Sequence, residues 1–169
     1  MAHYAGIMTG ELSGRTRDLL TRYRRIAMVG VSGNPTRASY RALVHMKSKG
    51  YTVYPVNPGS EEILGLKCYR SLKDIGEPVD IVDIFRRSET VLPLVGEARE
   101  AGAKVFWMQI GVINEAAARA AAREGMEVVM DRCVKIEHCR FFGKKDFGLD
   151  VVGLNTGVIT ANRYECMFE

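Results

Sequence analysis

Apolar residues recur along this chain with two different periods. Five short runs read as buried strands: 26–31 (IAMVGV), 52–56 (TVYPV), 81–85 (IVDIF), 104–108 (KVFWM) and 128–130 (VVM). They are mostly β-branched or aromatic, too short for helices, and bounded by turn residues. Between them lie stretches with helical spacing. In 10–25, Leu12, Leu19, Leu20 and Tyr23 share one face. The next, 38–49, is closed by Gly50, a residue suited to the position just past a helix end. The stretch 88–101 has Ser88 as a candidate N-cap and Gly102 beyond its end, with Pro93 inside it as a breaker. The stretch 114–124 (NEAAARAAARE) has Asn114 to cap it, alanines to propagate it and Gly125 to stop it. A polar loop is expected over 57–62 and a single helical turn over 71–75.

Strands alternating with helices at this spacing predict a parallel sheet with helices on both faces. Right-handed crossovers then make a doubly wound, Rossmann-like α/β sheet of about five strands the expected fold. At 169 residues, the chain is too short for a (β/α)₈ barrel, which needs about 250. The pattern implies an N-terminal helical extension at 1–24, a binding domain at 25–140 and a C-terminal arm at 141–169. The arm has four glycines, at 143, 148, 153 and 157, and one strand-like stretch, 151–154. Leu19, Leu20, Phe142, Phe147 and Phe168 fall outside the sheet pattern. They are expected to bury one another or a second subunit, the latter giving a homodimer.

Composition is that of a globular protein, 47% hydrophobic and 26% charged. The net charge of +4 suits an anionic small ligand, and no basic stripe points to nucleic acid. The longest apolar stretch, 105–113, is too short to span a membrane. The first residues lack a basic start followed by an apolar core, so no signal peptide is expected. Four scattered cysteines without a C-x-x-C pair fit a reduced, cytoplasmic protein. A zinc site on Cys133, His138 and Cys139 would have the wrong ligand spacing for a finger or ribbon.

In a doubly wound sheet, ligands bind beyond the carboxyl ends of the strands. After the first strand come Gly30, Ser32, Gly33, Asn34 and Pro35, and then a helix. Glycines there let the backbone approach a phosphate, and the helix N-terminus presents N–H groups to it. The bland alternative is a tight turn alone; Ser32 and Thr36 break the G-x-G-x-x-G pattern. After the second strand stand Val56, Asn57 and Pro58, with no carboxylate until Glu61. An NAD site wants an acidic residue there for the ribose hydroxyls, so NAD is disfavoured. Arg86 and Arg87 follow the third strand, and Arg37 and Arg41 stand at the first crossover helix. Guanidinium groups at the crevice can clamp phosphate; Arg87 and Arg41 read instead as solvated charges. Gln109 and Gly111 follow the fourth strand, and Cys133 the fifth. Beside Arg132, Cys133 is either a reactive thiol or a buried packing residue. His3, His45 and His138 show no partner arrangement in the sequence, and neither a Ser/His/Asp set nor paired carboxylates emerge. Binding is favoured over catalysis.

These strand-end residues carry a resemblance. The segments IAMVGVSGNPTRASY, GYTVYPVNP, VDIVDIFRRSE, WMQIGVINEAA and VVMDRCVKIEH, in this order, resemble the small stand-alone CoA-binding proteins of bacteria and archaea. Their Rossmann-like domain is similar to the N-terminal domain of the succinyl-CoA synthetase α subunit. The resemblance implies that coenzyme A or an acyl-CoA binds at the C-terminal edge of the sheet. It would set Gly30, Ser32, Asn34, Pro35 and Arg37 against the phosphates and Val56, Asn57 and Pro58 beside the adenosine. Phe85, Arg86, Gln109 and Gly111 would line the pantetheine path. The synthetase's phosphorylated histidine belongs to a second domain without a counterpart here, so ligase activity does not carry over. The expectation is a CoA carrier, sensor or subunit without its own turnover; the alternative is an NADP-binding oxidoreductase domain.

Overall fold

The computed structural model of the protein describes residues 11–143. Its centre is a parallel sheet of five strands: β1 (Arg25–Val29), β2 (Thr52–Val56), β5 (Ile81–Ile84), β6 (Val105–Met108) and β7 (Glu127–Val129). They lie in the order β2-β1-β5-β6-β7. The register runs Met28 beside Pro55 on one side and beside Asp83 on the other, with Asp83 in turn beside Trp107. Pro55 is tolerated because β2 is an edge strand.

Alternation along each strand divides the interior into two cores. Ala27, Val29, Val82, Ile84, Phe106 and Met108 face one side, against α3 (Leu94–Glu100) and α4 (Glu115–Arg123). Ile26, Met28, Ile81, Val105 and Trp107 face the other, against α1 (Glu11–Arg22), α2 (Ala38–Ser48) and α5 (Val134–Phe142). Leu19 and Leu20 of α1 are buried in this second core, so they pack within their own chain. Phe142 remains exposed, and Phe147, Phe168 and the strand-like stretch 151–154 lie outside the described residues. No helix among the described residues is long and apolar enough to cross a membrane.

Asn114 caps α4 as its position predicts, accepting a hydrogen bond from the Ala117 N–H at 2.8 Å. Asn114→Ala is therefore expected to lower stability by about 1 kcal/mol, measured by urea unfolding. The helical turn at 71–75 is a 3₁₀ turn, Leu72–Asp74, closed by a Ser71/Asp74 capping box.

Three elements differ from the sequence expectation. The helix expected over 88–101 splits into a 3₁₀ turn (Ser88–Thr90) and α3, because Pro93 has no N–H to continue the ladder. The Ser88 hydroxyl caps nothing; it accepts from the Ile113 N–H at 2.9 Å and donates to the Gly111 carbonyl at 3.3 Å. A hairpin of β3 (Glu62–Ile63) and β4 (Leu66–Lys67) follows the polar loop. It turns on Leu64 and Gly65, both at positive φ (55° and 70°). Leucine is a poor residue for that conformation, so the usual Asn-Gly or Asp-Gly signal is missing. Finally, α5 buries Lys135, Glu137 and His138, which hides its apolar periodicity.

Candidate functional site

The strand order reverses between β1 and β5. From β1 the chain runs to α2 on one face; from β5 it runs to α3 on the other. A crevice opens where those two connections part, at the carboxyl ends of the strands. A cavity of about 420 Å³ occupies it, lined by Gly30, Ser32, Arg37, Ala38, Ser39 and Phe85.

Gly30 is required by its position. Its φ is +84°, and a Cβ there would stand 2.6 Å from the Phe85 carbonyl oxygen. The Arg86 Cδ would be 3.3 Å from the same point, so the Arg86 stem lies over Gly30, in a residue that is exposed as a whole. The Ser32 N–H donates to the buried Ser39 hydroxyl at 3.1 Å. The Ser32 hydroxyl accepts from the Asn34 N–H at 3.1 Å, leaving its own proton to donate. Asn34 Oδ1 accepts from the Thr36 N–H and hydroxyl, both at 2.9 Å, which fixes the turn that carries Pro35. Arg37 takes the N-cap position of α2 with no side-chain cap bond. The N–H groups of Ala38, Ser39 and Tyr40 precede the first full turn, which the Arg41 N–H closes on the Arg37 carbonyl at 3.2 Å. A helix N-terminus, a glycine approach and Arg37 thus meet at one cavity, with the Arg86 stem beside Gly30, an arrangement suited to phosphate.

The other sequence candidates fall in three places. Val56 is buried at the end of β2, and Pro58 is exposed on the loop after it. Between them, Asn57 has both ends of its amide in use: Nδ2 donates to the Val31 carbonyl at 2.8 Å, and Oδ1 accepts from the Gly59 N–H at 2.8 Å. Asn57 therefore acts by tying the β1 turn to the β2 loop. Gly111, at φ +81°, sits in a loop held from both sides. Its N–H donates to Asp131 Oδ1 at 2.8 Å, and its carbonyl accepts from Ser88. Gln109 is buried and donates from Nε2 to Asp83 Oδ1 at 2.6 Å.

Cys133 starts α5 as a half-buried thiol. Burial pushes its pKa up, and the nearby Asp83 adds to the rise, so a thiolate beside Arg132 is not what the site holds. Among the described residues, no group of three or more His, Cys, Asp or Glu side chains is placed to hold a metal ion.

Two features were not read from the sequence. His45 and His138, far apart in the chain, meet in the second core with Nε2 and Nδ1 3.1 Å apart. Burial drives both pKa values down to about 4; the neighbouring His138 and Lys135 add to this for His45, and Lys49 and Arg24 for His138. Asp83 is the other. It is wholly buried in β5, and burial holds its carboxyl up at about 8 despite the opposing hydrogen bonds from Gln109 and from the Ile84 backbone. An acid at an inward position of an all-apolar strand was the available signal.

Residues 24–139 match the family described as the CoA binding domain. The chain belongs to that family. It is 43% identical over 131 residues to the uncharacterized protein YneT of Bacillus subtilis, covering 78% of this chain and 97% of that protein. It is 32% identical over 124 residues to the α subunit of ADP-forming acetate–CoA ligase II of Pyrococcus furiosus. That match covers 67% of this chain but only 27% of the subunit. Among solved structures, a hypothetical protein from Pyrococcus horikoshii OT3 is 40% identical with a TM-score of 0.74, covering 76% of this chain and 90% of that one. The CoA-binding family and the Rossmann-like fold expected from the strand-end residues are both present.

Proposed function

We propose that this protein binds coenzyme A or an acyl-CoA in the crevice between β1 and β5, as a carrier, sensor or subunit without turnover of its own. The observation that carries the reading is the cavity itself. Its walls are the Gly30 turn, the N-terminus of α2 and the Arg37 side chain, with the Arg86 stem across Gly30. CoA brings three phosphates to such a site. The uncharged end of β2 supports CoA over NAD, since Asn57, held to the backbone through both ends of its amide, offers no carboxylate to a ribose. Family membership and the relation to part of an acetate–CoA ligase subunit support the same ligand. Within this reading, Gly30, Ser32, Asn34, Pro35 and Arg37 face the phosphates and Val56, Asn57 and Pro58 border the adenosine. Phe85, Arg86, Gln109 and Gly111 lie along the pantetheine arm, and Cys133 stands near its end. Residues 25–140 form the binding domain, working in the cytoplasm.

Titration calorimetry with CoA, NAD and NADP tests the proposal. CoA is expected to bind and NAD not; equal or tighter binding of NAD overturns the reading, and a preference for NADP replaces it with the oxidoreductase alternative. Arg37→Ala and Arg86→Ala are each expected to weaken CoA binding by about 1–3 kcal/mol, the loss of a charge-assisted bond. Ser32→Ala should cost less, because the backbone donors remain. Wild-type affinity in all three variants would place the ligand elsewhere.

A further inference from the structure

Asp83 is poorly explained as a structural residue. It stands on the α2/α5 side of β5, flanked in register by Met28 and Trp107, and is wholly buried. Oδ1 takes the hydrogen bond from Gln109. Oδ2 is a buried side-chain oxygen without a hydrogen-bond partner among the described residues. A buried polar atom left unpaired costs stability, which an apolar residue in this strand would avoid. The carboxyl keeps its proton at neutral pH because burial holds its pKa up at about 8. The group presented is therefore an O–H donor that lacks an acceptor.

Its place in the fold says where an acceptor can come from. Phe85 follows two positions later on the same side of the strand and forms a wall of the phosphate cavity. Gln109 leaves the next strand beside it, and the half-buried Cys133 lies close enough for its thiol to feel the Asp83 carboxyl. Asp83 thus lies one layer below the crevice floor, on the side leading from the α2 N-terminus toward β6 and β7. A ligand with its phosphates at Arg37 and Arg86 would run its remaining arm over this spot.

We propose that Asp83 is a further ligand-binding residue, its free carboxyl oxygen donating a hydrogen bond to a carbonyl oxygen of the pantetheine or acyl end of the ligand once Phe85 swings aside. This rests on the CoA reading above and extends it from the phosphates to the thiol end. Pantetheine amides and an acyl thioester offer the same acceptor, and the choice of ligand separates them.

The test measures binding of CoA, acetyl-CoA and adenosine 3′,5′-bisphosphate to wild type, Asp83→Asn and Asp83→Leu. The bisphosphate has the phosphates without the arm. Asp83→Leu is expected to weaken the carbonyl-bearing ligand about tenfold, one hydrogen bond, and to leave the bisphosphate unchanged. Asp83→Asn, whose amide can accept from Gln109 and still donate, should stay close to wild type. Loss with both CoA and acetyl-CoA assigns an amide carbonyl; loss with acetyl-CoA alone assigns the thioester. Equal affinity of wild type and Asp83→Leu for both overturns the proposal while leaving the CoA reading intact. Failure of wild type to bind either CoA or the bisphosphate removes the CoA reading itself. Asp83→Asn affinity as poor as that of Asp83→Leu overturns the donor role. If Asp83→Leu does not fold, infrared difference spectra of wild type decide, with Asp83→Asn as the blank. The carboxyl C=O band should shift on addition of the arm-bearing ligand and not on addition of the bisphosphate; an unmoved band overturns the proposal.

Discussion

Gly30→Ala is expected to unfold well before wild type and to lose CoA binding, while Gly50→Ala costs only the backbone penalty of its positive φ and leaves binding unchanged. The two glycines share a φ of +84°, so alanine meets the same backbone penalty at both, about 1–2 kcal/mol. They differ in surroundings. At Gly50 an added Cβ meets nothing within 4 Å, whereas at Gly30 it meets the Phe85 carbonyl oxygen at 2.6 Å. That oxygen belongs to the backbone at the end of β5 and cannot rotate away. Relieving the contact means parting β1 from β5, held there by the Phe85 N–H to Val29 carbonyl bond at 2.8 Å. The total cost at Gly30 is on the order of 3 kcal/mol, overpacking added to backbone strain. Urea unfolding of both variants measures it, and calorimetry with CoA shows whether the same displacement opens the cavity. Equal destabilisation by the two substitutions would mean that the approach of Gly30 to β5 carries no weight.

Acid should destabilise the protein over an unusual range. His45 and His138 are held neutral when folded, with pKa values near 4 against an ordinary 6.5. Their contribution is fully present above pH 6.5 and is lost as pH falls from 6.5 to about 4, because only the unfolded chain takes up the protons. Each proton is worth at most about 1.4 kcal/mol per pH unit. Asp83 acts in the opposite sense. Its pKa is raised from 3.8 to about 8, so its contribution is present below 3.8 and lost as pH rises to 8. Between pH 4 and 6.5, two protons work against one. Wild type should lose up to about 1.4 kcal/mol per unit of acidification, and Asp83→Asn up to about 2.8. The double variant His45→Gln, His138→Asn should become more stable on acidification over the same interval. Unfolding free energies at half-unit steps of pH check the three slopes; parallel slopes would show that neither the histidine pair nor Asp83 titrates as described.

The sheet was legible because each of its strands is a short β-branched run closed by turn residues, and Asn114 announced α4 without ambiguity. The crevice was legible for a related reason. Glycine at 30, arginine at 37 and an uncharged 56–58 segment each have few physical readings at a strand end. What stayed hidden depended on partners remote in sequence. Ser88 looks like an N-cap until the loop at 111–113 reaches it. Asn57 shows nothing locally of the bonds to Val31 and Gly59 by which its amide ties the β1 turn to the β2 loop. His45 gains its partner from a helix 93 residues away, and that helix is itself disguised by the charged residues it buries. Local pattern predicts local conformation; it does not predict which polar groups find each other across the fold.

The two cores also differ in when synthesis can complete them. One draws all its buried members from Ala27 to Met126. The other needs Leu19 and Leu20 near one end and Val134 near the other, with the Thr16 hydroxyl donating to Glu137 at 2.8 Å across it. A nascent chain emerging N-terminus first has therefore delivered every residue of the α3/α4 side while the α1/α2/α5 side still lacks its last helix. Until α5 leaves the ribosome, Trp107 and Met28 have no complete cover, and the Asp83 carboxyl waits beside them. Ribosome-bound fragments ending near Val129 are the species that chaperones should recognise, through the half of the molecule that does not yet exist.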